Sequence, residues 1–120
     1  MAFPATYSFN YYKGDTYNFV IRPKNSDGSA FDLNNFSEAT FTIASSRGDN
    51  PDFSVEAGAD INTESDVVVC GIVPSVGLTL NAGQYVYDVE IVNTDATPDI
   101  VYTLLTGVIT VTEQVSGAAP

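Results

Sequence analysis

"LNAGQYVYDVEIV", residues 80–92, is the stretch on which the fold turns. Tyr85, Tyr87, Val89 and Ile91 alternate with Val86, Asp88, Glu90 and Val92, the period of a strand with one buried face. Ahead of them stand a leucine, a short polar turn with glycine, and the first tyrosine. That order is the local pattern of a tyrosine corner, in which a ring fills the end of a β-sandwich core and its hydroxyl turns back to a backbone group just upstream. Leu80 is the expected anchor, Gly83 relaxes the turn, and Tyr85 is the corner. Tyr87 stands where disulfide-bonded sandwiches carry a cysteine, and is expected to fill that place as a core aromatic. All four are structural roles.

Working outward, the same period recurs. Tyr7, Phe9 and Tyr11 alternate with polar residues, "KGD" (13–15) turns the chain, and Tyr17, Phe19 and Ile21 alternate again until Arg22-Pro23 ends the strand. "NSDGS" (25–29) is a turn signal followed by Phe31 and Leu33 as anchors. Ala39, Phe41 and Ile43 form a further strand, and "SSRGDNPD" (45–52) a polar loop. "FSVEA" suggests a short strand and "GADINTESD" a loop. "VVVCGIV" (67–73) fits a central strand covered on both faces. A helical turn is compatible with "SVGLTLNAG" (75–83), "NTDATPD" (93–99) is a hairpin-length loop, and Gly107 is expected to bend or break the last strand. The expected fold is all-β, an immunoglobulin-like antiparallel sandwich of about seven to eight strands. It occupies residues 7–115, with an N-terminal arm at 1–6 and a C-terminal tail at 116–120. In the arm, Phe3 and Pro4 are candidate docking residues, joined by Tyr12, whose place in the alternation faces outward.

Charge narrows the partners. The chain carries 15 acidic and 4 basic residues, net −11, with all four bases in the first sixty residues. Such a field argues against nucleic acid and anionic membranes, and suits a basic surface. Cys70 is the one cysteine, so the chain makes no internal disulfide and no zinc cluster, and its valine neighbours mark a buried thiol. No apolar run is long enough to span a bilayer as a helix, and "MAFPATYSF" lacks the basic and apolar regions of a signal peptide. Synthesis in a cytoplasm is expected.

Catalytic patterns are absent. With no histidine, a Ser-His-Asp or Cys-His arrangement is impossible. Asp88 and Glu90 share the outer face of one strand and read as solvated residues, so no enzyme is expected. No cofactor-binding motif occurs. The acidic loops "GDNPD" (48–52) and "NTDATPD" match no calcium-loop spacing and read as turns, as "RGD" (47–49) reads as a polar loop.

Three stretches carry a resemblance. "YYKGDTYNFVIRPKNSDGSAFDLNNFSEATFTI" (11–43) runs through an aromatic strand, Gly-Asp-Thr, a second strand, an Asp-Gly hairpin, Asp-Leu and a strand ending in Phe-x-Ile. "LNAGQYVYDVEI" and "VYTLLTGVITVTEQV" (101–115) add a Tyr-Asp-x-Glu strand and a closing strand with a Leu-x-Gly break. Together they resemble the immunoglobulin-like structural modules of tailed-bacteriophage virions, similar to the N-terminal domain of phage upper baseplate proteins. The resemblance implies a non-enzymatic virion part, made in the host cytoplasm, without cofactor. Its implied partners are other virion proteins of the capsid or of the tail and baseplate, or further copies of itself in a homo-oligomer. A decoration or accessory role follows. The alternative is a host-surface or glycan-binding module of a tail, assisted by calcium.

Overall fold

A computed structural model describes residues 4–48, 50–95 and 97–113. Eight strands and one helical turn follow in order: β1 (Ala5–Thr6), β2 (Phe9–Tyr12), β3 (Tyr17–Ile21), β4 (Glu38–Ala44), β5 (Ser54–Asn62), β6 (Val67–Ile72), α1 (Pro74–Gly77), β7 (Gly83–Asn93) and β8 (Ile100–Thr112). The fold is all-β, as the alternation requires.

The strands form one strongly curled sheet in the order β1-β8-β7-β4-β5-β6-β3, with β2 also on β8. β5 makes the curl possible. Through Ser54–Ala57 it pairs with β4, and through Gly58–Asn62 with β6. The sheet therefore folds over itself at β5, and β3 comes to lie across the core from β4 and β7, with the Phe19 ring 5.5 Å from Phe41 and 6.4 Å from Tyr87. The sheet is mixed: neighbours from β8 to β3 run antiparallel, but β1 and β2 run parallel to β8.

The core is apolar throughout. Tyr11, Leu33, Phe41, Ile43, Val68, Cys70, Ile72, Leu80, Tyr87, Val89, Ile91 and Ile109 are buried within it, and the described residues contribute no buried polar or charged side chain other than the two tyrosine hydroxyls. Burial pushes the Cys70 thiol up to about 12, with the nearby Asp60 adding to it, so this thiol is held protonated. Phe31, Phe36 and Tyr102 make a smaller aromatic group at one end, with ring centroids 5.7–6.0 Å apart.

Four expectations need correction. The stretch assigned to a short strand and a loop is one nine-residue strand, β5, with Val55, Ala57, Ala59 and Ile61 turned half-inward. Its small side chains and Gly58 hid the alternation. "VVVCGIV" is not covered on both faces: Val69 is 41% exposed, with no strand or helix of the described residues packed over that side of β6. Gly107 does not break the last strand, which runs unbroken from Ile100 to Thr112. Instead a bulge opposite Val89/Glu90 inserts Leu104, so that both Leu104 and Leu105 face inward and the alternation changes phase. Lastly Tyr7, which its alternation with Phe9 and Tyr11 placed on the inward face, is 43% exposed.

Candidate functional site

Each residue singled out from the sequence has a definite place. Leu80 is fully buried. Gly83 has φ +140, a conformation side chains resist, and it starts β7 just after the turn. The Tyr85 hydroxyl accepts a hydrogen bond from the backbone N–H of Asn81 at 3.0 Å, while its ring packs edge-on against Phe53. Tyr87 is 1% exposed and donates to the Tyr7 carbonyl at 2.5 Å, 80 residues away in sequence. Its burial pushes its phenol well above the ordinary range.

The Tyr87 bond fastens the N-terminal run to the rest of the molecule. Ala5 and Thr6, counted with the arm in the sequence reading, pair with Leu105 and Thr106, and Phe9–Tyr12 pair with Ile109–Thr112. Between them the chain kinks at Tyr7 and Ser8, where Tyr7 N–H donates to the Thr106 carbonyl and the Ser8 hydroxyl accepts from Val108 N–H. Gly107 lies under the kink. A Cβ there would run into the Tyr7 carbonyl and touch the Tyr87 ring. The glycine expected to bend or break a strand thus permits a close approach of two backbone segments.

Pro4 is exposed at the head of this run and Tyr12, 55% exposed, at its foot, so the structure does not bring the two together; Phe3 lies outside the described residues. Arg47 of the "RGD" loop is not a free side chain. It pairs with Asp88 at 2.9 Å and donates to the Thr106 hydroxyl, closing a concavity of about 430 Å³ on the outer face of β4 and β7. Asp49 is outside the described residues. Asp88 and Glu90 do share that outer face, in register with Thr42 and Thr40. Among the described residues, no three acidic or sulfur-bearing side chains stand close enough to share a metal ion. No helix there is long and apolar enough to cross a membrane.

Sequence reasoning missed the most suggestive surface. The curl brings the β1 end and the β3 end of the sheet side by side without joining them. Across this seam the Tyr7 and Tyr17 hydroxyls are hydrogen-bonded at 3.0 Å, and the Phe9 and Tyr17 rings stack 4.6 Å apart. Burial, helped by the bond to Tyr7, pushes the Tyr17 phenol up to about 12. Beside this bridge a groove of about 400 Å³ runs along β3, lined by Ala5, Tyr7, Phe19, Ile21 and Leu105, with Arg22 at its end. The signal in the sequence was the pair Arg22 and Lys24 around Pro23, half of all the cations in an acidic chain. An apolar groove beside an open strand edge has the geometry that can take up an extended chain segment.

Comparison with known proteins finds no family model that matches this chain and no curated protein that resembles it significantly.

Proposed function

We propose that the protein is a non-enzymatic structural part of a tailed-bacteriophage virion, an immunoglobulin-like sandwich that docks in multiple copies on the capsid or tail as a decoration or accessory protein. The observation that carries this reading is the seam: an open strand edge beside an apolar groove, on a module whose sequence resembles phage virion modules over most of its length. The sandwich reading is supported by the change of partner within β5, which splits the curled sheet into two facing halves, and by the Tyr85 hydroxyl bonded back to Asn81. The partners are other virion proteins, and the protein is made in the host cytoplasm before assembly.

Gold-labelled antibody applied to intact particles of the encoding virus tests this. Label over the head supports decoration of the capsid, and label on the tail or its tip supports a baseplate-type role. Purified particles that lack the protein by mass spectrometry would overturn the proposal. The outward Tyr12, 55% exposed, favours the second reading of a glycan-binding tail module, since exposed aromatics stack on sugars. A glycan array blank with and without calcium removes that reading.

A further inference from the structure

The seam specifies what it can hold. β3 has a ladder partner, β6, on one side only among the described residues, so its other edge presents backbone N–H and C=O groups along Tyr17–Ile21. Such an edge is completed by an extended chain, whose side chains alternate between the two faces. On the inner face, alternate side chains would enter the groove between Tyr7, Phe19 and Leu105. On the outer face, Val20 and its cross-strand neighbour Val69, 43% and 41% exposed, leave an apolar row for the added strand to extend.

Charge chooses the occupant. Of the four basic residues, Lys13 is paired with Glu113 and Arg47 with Asp88. Among the described residues Arg22 and Lys24 make neither an ion pair nor a side-chain hydrogen bond, although the chain carries 15 acids. Both stand just beyond the end of β3. A second copy answers this poorly. Two β3 strands paired about their central residue, Phe19, set Arg22 opposite Thr16 and Lys24 opposite Gly14, and each copy brings a net charge of −11.

We propose that the β3 edge takes up an extended segment of a partner protein as an added antiparallel strand, its apolar side chains in the Tyr7–Phe19 groove and a carboxylate near its N-terminal end against Arg22 and Lys24. This deepens the docking reading above and rests on it. Antiparallel addition matches the pairing β3 already makes with β6 and is the more stable ladder per residue.

The test uses the whole chain and a blocked peptide, acetyl-Asp-Val-Thr-Val-Thr-Val-amide, with a second peptide carrying lysine in place of aspartate. Titration followed by amide NMR is expected to shift and protect Tyr17–Ile21, with the aspartate peptide bound about three- to fivefold more tightly, the range of an exposed ion pair. In the double variant Arg22→Glu, Lys24→Glu, which alters only exposed side chains, that preference should invert. The proposal is overturned if the shifts fall elsewhere, if the preference fails to invert, or if no shift is seen at millimolar peptide. It is overturned in favour of a second copy if the protein alone sediments as a dimer with the β3 amides already protected. Particles that carry the protein while no peptide binds would sink the edge and spare the virion reading. Peptide binding by a protein absent from particles would do the reverse.

Discussion

The two ends of the curled sheet are finished in opposite ways. At the β1 and β2 end the N-terminal run is bonded to β8 over most of its length, kinked over Gly107, and fastened by the Tyr87 hydroxyl to the Tyr7 carbonyl. At the β3 end, among the described residues, the edge is left open, its outer valines are exposed, and the cations beyond it make no ion pair. Both ends belong to the same sheet and pack on the same aromatic cluster. The difference shows that the described residues concentrate their specific contacts on one edge, and under the docking proposal above the other edge is the one left for assembly.

The largest expected effect tests the closed end. Gly107→Ala places a methyl group against the Tyr7 carbonyl and the Tyr87 ring, neither of which is free to move, so it should cost about 3 kcal/mol or more. At Gly58, where β5 changes partner, the same methyl would meet only the Gly71 carbonyl oxygen at 3.5 Å, an ordinary contact. Gly58→Ala should leave stability unchanged or raise it by about 0.5 kcal/mol. Urea midpoints of the two variants give the contrast directly, and equal losses would mean that the kink over Gly107 is not a special contact.

Alkali should weaken the tyrosine-rich seam next. Tyr11, Tyr17 and Tyr87 all hold their protons more tightly in the folded chain than an exposed phenol does, chiefly because burial penalises the phenolate, and the buried Cys70 thiol behaves alike. Groups whose folded values are raised contribute stability that is complete below their unfolded values. It is lost as pH rises through the folded ones, about 12 for Tyr17 and Cys70. Urea midpoints should therefore stay level from about pH 6 to 8, where a chain without histidine has little to titrate, and fall steadily above about pH 9. A midpoint that drops already between pH 6 and 8 would contradict this.

How much of this could be read from the sequence follows from side-chain size. Where large apolar residues alternate, as in Tyr85–Ile91 or Phe41–Ile43, the strand and its inward face were plain. Where the central inward residues are alanines, as Ala57 and Ala59 of β5, the same period was present but carried too little hydrophobic contrast to register. The bulge at Leu104 was unreadable because two adjacent leucines fit either phase. The parallel pairing of β1 and β2 with β8 depends on contacts about a hundred residues apart, and no local pattern encodes it. The candidate site suffered most. An open edge is a property of sheet order, so Tyr17–Ile21 looked like any other strand, and only Arg22 and Lys24, half of the cations of an acidic chain, marked its end.

The two tyrosines of the opening motif separate more finely. Tyr87→Phe removes a buried hydroxyl and leaves the Tyr7 carbonyl without its donor, for about 1–2 kcal/mol. Tyr85→Phe removes a bond at an exposed turn, where water replaces it, for about 0.5 kcal/mol. If the two losses were equal, the hydroxyl of Tyr87 would contribute no more than a surface contact, and the closed edge would owe its order to the ladder alone.

The smallest expected effect concerns the open edge. Arg22→Gln and Lys24→Gln remove cations that make no ion pair among the described residues, so each should change stability by less than about 0.5 kcal/mol. Measured by urea unfolding, a larger loss from either would mean that these side chains support the fold through a contact near β3, and that the end of the edge is not available to a partner. No loss in the isolated protein, combined with weaker attachment to particles, would place their whole contribution at the interface. Salt should then weaken attachment of the native protein and leave the double variant less affected, because an exposed carboxylate–cation pair is screened within a Debye length of about 8 Å at physiological ionic strength.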